Sequence, residues 1–584
     1  MPKYTVEKNA EMLVALLKKY NIKKIIVSPG AMNISFVGSV QNDNFFELYS
    51  CVDERSACYM ACGLAEESQE PVVLTCTGAT ASRNYLSGLT EAYYRKLPII
   101  AVTSAQFHGN LGNNIPQAID RFAQLNDIVK TSVQVFSINT PNDEWDCNVK
   151  INKALLEVNH NGLGPVHINL ETVGGIDFVE KELPEVRKIN RYNINDTLPK
   201  ITKDKIAIFI GSHSIIDKEL EKEIDEFCDK YNAIVLHDWT SNYHGKYGIM
   251  PNIVLDQRDY KFEHSDFDLI IHLGNISGAY LNLSTNSVWR VNEDGKIIDT
   301  FRKLENVYEM KEIDFFKNYN KKKTSAINST HKEWKKETNR LYKLFDKDKI
   351  PFSNLWIANQ LVDKIPKHSY LHLGILNTLR SWNYFQPSNN IDAYSNTGGF
   401  GIDGIPSTII GSSLVNKNRT YYGILGDLAF FYDMNALGNR YVGNNIRLLI
   451  INNECGTEFH NYSHAAQALK EDVGKFVAAD GHFGNKSDVL VKNYAENLGY
   501  KYLSASNKDE FDKNVSKFIS NSNKSIIFEV FTNSKDESDA LEYIRGLAVD
   551  YIRSNQQEEK KEPKKSKNKI TDYTKKVIKK IIKK

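Results

Sequence analysis

The stretch 426–456, GDLAFFYDMNALGNRYVGNNIRLLIINNECG, constrains the fold more than any other part of the chain. An apolar run at 421–425 stops at Gly426-Asp427, and a second at 446–451 stops at Asn452-Asn453. Between them a segment with Tyr432, Met434 and Leu437 reads as helical. Strand, helix and strand in this length form a crossover unit. Such a unit joins two parallel strands and brings their C-terminal ends to one edge of a sheet. Open α/β sheets bind ligands along that edge. Asp427 and Asn453 are expected to converge there, one offering a carboxylate and the other an amide oxygen. Hard oxygen donors suit Mg²⁺, which takes few protein ligands and completes its shell from phosphates. Taken singly, Gly-Asp and Asn-Asn are also ordinary punctuation after strands, so the rest of the chain has to decide.

The first 180 residues alternate the two periods of a doubly wound sheet. Met12, Leu13, Leu16 and Leu17 mark a helix, and Ile25-Ile26-Val27 a short buried strand that ends at Ser28-Pro29-Gly30. A strand at 46–51 leads into Asp53-Glu54-Arg55 and then a helix through Ala57, Met60, Ala61 and Leu64. Runs at 72–75, 99–103 and 166–170 add buried strands. Alternation of this kind predicts a parallel α/β sheet. Glu54 opens a helix, where a carboxylate favours the macrodipole. On position alone that explanation suffices.

Several stretches, in order, are similar to the thiamine-diphosphate (ThDP) enzymes. They are SPG at 28–30, VDERSACYMACGLA around Glu54, TGAT at 77–80, NIPQAID with Gln117, GPVHINL at 164–170, GGFGIDG at 398–404, and the GD…NN segment. Within that superfamily, GDL with YD-N-AL most resembles the menaquinone-pathway SEPHCHC synthase, which adds a decarboxylated 2-oxoglutarate unit to isochorismate. The resemblance implies that Glu54 donates to N1′ of the cofactor's aminopyrimidine, so that the neighbouring nitrogen can deprotonate the thiazolium. A largely buried carboxyl with a raised pKa would suit that exchange. It further implies Mg²⁺ bound by the side chains of Asp427 and Asn453 and the carbonyl of Cys455. Ile402 would be the wedge that bends ThDP, and the backbone around Gly426, Asp427, Leu428 and Ala429 would cradle the diphosphate. Ser28, Asn33, Gln117 and Arg380 are the substrate candidates.

The resemblance breaks at acid-binding positions. SPGSR of the family is SPGAM here, so Ala31 and Met32 replace a hydroxyl and a guanidinium. Gln106 and Thr397 stand where the family carries arginines, Ala279 approximately replaces a lysine, and Arg380 is kept. At about 1.5–3 kcal/mol per charged hydrogen bond, these losses should disfavour polycarboxylate substrates. The chemistry is expected to persist on a different substrate.

Three α/β domains are expected, at 1–180, 181–348 and 349–553, with a basic tail at 554–584. The middle one shows strand-like runs at 206–213, 233–239, 267–274 and 287–295 but no GxGxxG, so a structural role is expected for it. The Lys- and Asn-rich stretch 315–339 reads as a solvated helix or linker. In the tail, Ile570, Tyr573, Val577 and Ile581 recur helically among lysines. That pattern suits either weak contact with an anionic membrane surface or plain solvation. Net charge is +2, with the basic excess in the tail, so the body offers no nucleic-acid footprint. Seven scattered cysteines without a C-x-x-C argue against a disulfide framework or zinc site. The start lacks a signal-peptide pattern and no apolar run reaches spanning length, so a cytoplasmic protein is expected.

The reading is a ThDP- and Mg²⁺-dependent carboligase that decarboxylates a 2-oxo acid and passes the acyl-anion equivalent to an acceptor. It would work as a homodimer or homotetramer, a state implied by the resemblance alone. Two alternatives stay open: a plain decarboxylase releasing an aldehyde, and a non-catalytic ThDP-binding scaffold.

Overall fold

Apolar runs rich in Ile, Val and Leu become strands buried on both faces, because helices cover both sides of each sheet. The computed structural model describes residues 2–279, 281, 283–321, 328–387, 391–481 and 487–561, the last eight of these by backbone alone. Among the described residues, three large sheets carry the chain, and every strand pairing in them is parallel.

The first sheet comprises β1 (Lys24–Val27), β2 (Glu47–Ser50), β3 (Val72–Cys76), β4 (Ile99–Ala105), β5 (Ser132–Val135) and β6 (Val166–Glu171), in the order β2-β1-β3-β4-β6-β5. The middle sheet comprises β7 (Asn190–Asn193), β8 (Ile206–Ile210), β9 (Ile234–His237), β10 (Gly248–Ile249), β11 (Leu269–Leu273), β12 (Val288–Val291) and β13 (Leu304–Glu309). Their order is β10-β9-β8-β11-β12-β13-β7. The third comprises β14 (Tyr370–Leu373), β15 (Asp392–Tyr394), β16 (Tyr421–Gly426), β17 (Ile446–Asn452), β18 (Lys501–Ala505) and β19 (Ile526–Phe531), in the order β15-β14-β16-β17-β19-β18.

The first and third sheets therefore share one topology. In each, the second strand lies on one side of the first and the third strand on the other, so the winding reverses beside the first strand. A crevice opens at the strand C-termini where the winding reverses. The middle sheet has its own reversal between β8 and β11.

Three local features refine the expectations. Strand β2 is an edge strand with all four residues exposed, because nothing in the single chain covers it. Within 315–339, expected as a solvated helix or linker, the described residues fall mainly in two helices, Glu312–Asn320 and Ser329–Leu344, which are amphipathic rather than solvated all round. Lys317, Lys332, Lys335 and Lys336 are exposed while Phe315, Phe316 and Trp334 are fully buried. The last helix, Ser534–Lys561, continues past residue 554 into the stretch set apart as a basic tail. The apolar positions Ile570, Tyr573, Val577 and Ile581 lie outside the described residues. No helix among the described residues is long and apolar enough to cross a membrane.

Candidate active site

The register of the third sheet places Gly426 beside Ile451, so the turns after β16 and β17 meet at one corner. Asp427 is the first residue of the helix Asp427–Asp433 and is 3% exposed. Burial pushes its carboxyl up to about 7, against hydrogen bonds from the backbone of Leu428, Asp427 itself and Glu454. The charge of Glu454 raises it further. The two asparagines divide their tasks. Asn452 donates its Nδ2 to Glu529 Oε1 at 2.8 Å and accepts from the Glu454 amide at 3.3 Å. Glu454 then takes a left-handed φ of 66°, which turns the chain back toward Asp427. Asn453 is buried and its Oδ1 has no hydrogen-bond partner.

A buried acceptor without a donor costs free energy, and so does a buried carboxylate without a counter-charge. Both costs vanish if a small hard cation sits between them. The Cys455 carbonyl accepts from the Thr457 amide at 3.0 Å, leaving one lone pair available. Carboxylate, amide oxygen and carbonyl fit a Mg²⁺ that fills its remaining positions from a diphosphate and water. The Cys455 thiol is buried and its pKa is pushed up to about 12, chiefly by desolvation. It contacts Thr457 Oγ1 at 3.4 Å and forms a cluster with His460 and Asp480.

Ile402 lies half-buried at the end of the glycine-rich loop, packed on the core that contains Ile405, Ile409, Ala429 and Phe430. Packing on that core anchors an apolar side chain close to the metal corner. Leu428 follows Asp427, and its amide is directed at the Asp427 carboxylate. Ala429 is buried beneath.

The other candidates line the C-terminal edge of the first sheet. Asp53 caps the helix Glu54–Ser68 by accepting from the Ser56 amide at 2.9 Å, and this places Glu54 at the first helical position. Glu54 Oε2 accepts from Asn84 Nδ2 at 2.9 Å. In the single chain Glu54 is half-buried, less than the largely buried carboxyl expected, because the helix presents its outer side to solvent. Val52, Tyr59 and Met60 beside it are 77%, 47% and 42% exposed. Ser28 and Asn33 are buried, with Asn33 Nδ2 donating to the Ser28 carbonyl at 3.0 Å. A Cβ at Gly30 would fall 2.3 Å from that of Thr77, so the SPG and TGAT turns meet only with glycine there. Gln106 and Gln117 line one small cavity, and Gln117 is exposed with φ 67°.

Arg380, the retained cation, is engaged within the chain. Its guanidinium forms a two-pronged pair with Glu458, the Nη2–Oε1 arm at 2.9 Å, and it also contacts Asn377 Oδ1 at 3.1 Å. Glu458 lies 78 positions further along the chain, and nothing in its local sequence marks it as the partner. Two strained residues also escaped sequence reading. Ala79 (φ 53°, ψ −132°) precedes the first helix after β3, and Leu376 (φ 64°, ψ −123°) the first helix after β14. Non-glycine residues in such conformations cluster at ligand sites, and each of these two follows a strand that borders the winding reversal of its sheet. Their signal lay in neighbouring motifs, TGAT for Ala79 and the Gly374 strand end for Leu376.

Comparison with known proteins agrees with this geometry. Residues 7–124 match the family described as thiamine pyrophosphate enzyme, N-terminal TPP binding domain. The 2-succinyl-5-enolpyruvyl-6-hydroxy-3-cyclohexene-1-carboxylate synthase of Phocaeicola vulgatus is 30% identical over 571 residues, covering 93% of this chain and 99% of the relative. The enzyme of the same name from Bacteroides fragilis is 29% identical over 565 residues, covering 92% and 98%. That of Flavobacterium johnsoniae is 27% identical over 556 residues, covering 90% and 96%. Twin sheets, each with its ligand edge, and a likeness running nearly end to end place the chain among the thiamine-diphosphate enzymes, as a member of the 2-succinyl-5-enolpyruvyl-6-hydroxy-3-cyclohexene-1-carboxylate synthase family.

Proposed function

We propose that the chain decarboxylates a 2-oxo acid and transfers the resulting acyl-anion equivalent to an acceptor, on a substrate pair other than that of its relatives. The observation that carries the reading is the metal corner, where Asp427 is buried after β16 and the buried Oδ1 of Asn453, after the neighbouring β17, has no hydrogen-bond partner. Bound ThDP supplies the electron sink that makes decarboxylation of a 2-oxo acid feasible. The chain's own residues do the rest. Asp427, Asn453 and the Cys455 carbonyl would hold Mg²⁺, which would offset the charge of the diphosphate. Ile402 would pack against the bound cofactor, and Glu54 would hold and return a proton at its pyrimidine nitrogen.

Glu54 and Asp427 belong to different sheets with separate cores. In this reading a second copy supplies the complementary half of each site. The exposed Leu48, Val52, Tyr59 and Met60 around Glu54 support such a contact, since apolar side chains grouped this way gain from being covered. The changed substrate is supported by Ala31, Met32, Gln106, Ala279 and Thr397 at acid-binding positions, and by the commitment of Arg380 to Glu458. Turnover is tested by incubating the chain with ThDP, Mg²⁺ and a panel of 2-oxo acids and aldehydes, followed by mass spectrometry. A product heavier than the decarboxylated acid is expected; isochorismate with 2-oxoglutarate as the best pair would overturn the substrate assignment.

A further inference from the structure

The middle sheet, which the sequence marked only as structural, carries a cavity of about 670 Å³ at its winding reversal. It opens at the C-terminal ends of β8 and β11 and is closed on the far side by Thr397 and Gly398 of the third sheet's glycine-rich loop. Ligands of open α/β sheets occupy this position. The lining is mainly hydrocarbon: Phe209, Ile276, Leu281, Ile298 and Phe301. Ile276 and Ile298 are 53% and 37% exposed, so apolar surface is presented to solvent at the mouth.

The polar groups around this lining are largely spent on the protein itself. Thr397 Oγ1 donates to Ser212 Oγ at 3.0 Å, which fastens the glycine-rich loop to the end of β8. Ser277 Oγ, the Gly278 amide and the Ala279 amide all converge on Asp238 Oδ2, at 2.6, 2.7 and 3.2 Å. A Cβ at Gly278 would fall 2.0 Å from Leu379 Cδ2, so this loop is pressed onto the helix Asn377–Trp382. Ala279 is therefore fixed where it faces the cavity, with a methyl group and no charge. Among the described lining residues Arg290 is the one cation, and its Nη2 and Nη1 donate to the carbonyls of Gly274 and His272. Its Nε is buried without a partner. His272, between Phe209 and Phe301, is held neutral by burial.

We infer that this cavity is the substrate pocket of the proposed carboligase and that it takes an apolar body of aryl or branched-alkyl size. The substrate it selects is accordingly a hydrophobic 2-oxo monoacid or aldehyde rather than a polycarboxylate. The inference rests on the carboligase reading for its chemistry, and on the lining alone for its selectivity. A second carboxylate placed here would lose its hydration against Arg290 alone, a cation whose Nη1 and Nη2 are already engaged by the His272 and Gly274 carbonyls. A ring or branched chain would be covered by side chains already held in place, so little ordering is needed on binding.

Saturation-transfer NMR on the chain loaded with ThDP and Mg²⁺ tests this with three probes. Phenylpyruvate represents a donor acid, benzaldehyde an acceptor, and 2-oxoglutarate the polycarboxylate. Transfer to the aromatic protons of phenylpyruvate or benzaldehyde is expected, and whichever shows it identifies the partner the cavity holds. Binding of 2-oxoglutarate should be at least tenfold weaker. Ala279→Trp, which fills the cavity, should abolish the aromatic signal while the melting temperature stays near that of the parent. Thr397→Arg, which adds a cation at the wall, should shift the preference toward 2-oxoglutarate. Equal or tighter binding of 2-oxoglutarate by the parent chain, or aromatic binding untouched by both variants, would overturn the inference. Should calorimetry show no ThDP binding, the carboligase reading falls, and the same titrations on the unloaded chain still decide the cavity's selectivity.

Discussion

At position 427 a carboxyl is buried and raised to about 7, and at 453, after the neighbouring strand, a buried amide oxygen has no hydrogen-bond partner. Asp427→Ala should weaken ThDP binding in the presence of Mg²⁺ by about 100-fold, or about 2.7 kcal/mol, since the diphosphate loses its counter-ion. Calorimetry checks this, and parent-like affinity would contradict the metal assignment. Asn453→Ala should weaken ThDP binding by about tenfold. The same change should leave the unloaded chain no less stable, because it deletes an acceptor that lacks a donor there. A purely structural asparagine would behave the opposite way. Glu54→Gln should bind ThDP normally but slow deuterium exchange at the thiazolium C2, followed by proton NMR, by about tenfold or more. Unchanged exchange would reduce Glu54 to a helix charge. Asp427 and Asn453 were legible in the sequence because two apolar runs stop at them. The division of labour within the Asn pair was not, since it depends on Glu529 from the neighbouring strand β19.

Strands and helices were legible wherever burial on both faces forces unbroken apolar runs, as at β1, β3, β16 and β17. Legibility failed where charge count outweighed spacing. In 315–339 the lysines suggested solvation, although Phe315, Phe316 and Trp334 fall on inward faces. Nothing in the sequence marked the partner of Arg380, Glu458, which comes from the short helical turn Thr457–His460. That pair clamps the helix Asn377–Trp382 against the segment following the metal corner. Both side chains are mostly buried, so removing one partner strands the other. Arg380→Leu and Glu458→Leu should each cost about 1–3 kcal/mol, and the double variant less than the sum. Urea unfolding of the four proteins measures the coupling. Additive losses, with KM for the 2-oxo acid rising only in Arg380→Leu, would return Arg380 to substrate binding.

Across the whole molecule, burial raises the carboxyls of Glu11, Asp427 and Glu537 each to about 7. A carboxyl whose folded pKa lies above its unfolded value binds more protons folded than unfolded through the interval between them. The stability it contributes is fully present below the unfolded pKa and is lost as pH rises through the folded one. The melting temperature of the metal-free chain should therefore fall from about pH 5 to about pH 8. Glu537→Gln should flatten that slope, and so should Mg²⁺ with ThDP, which satisfies ionised Asp427. A melting temperature that climbs over the same range would contradict the burial of these acids.

At this scale the like strand orders of the first and third sheets matter most. The winding reversal beside β1 lies near Glu54, and the one beside β14 lies near Asp427. The central claim, that these edges together hold ThDP for work on a 2-oxo acid, is tested most directly by CO₂ release. The parent chain with ThDP, Mg²⁺ and phenylpyruvate should release CO₂ in a reaction that stops when either ThDP or Mg²⁺ is left out and is lost in Asp427→Ala. CO₂ release that persists in Asp427→Ala, or none from any 2-oxo acid in a broad panel, would contradict the account.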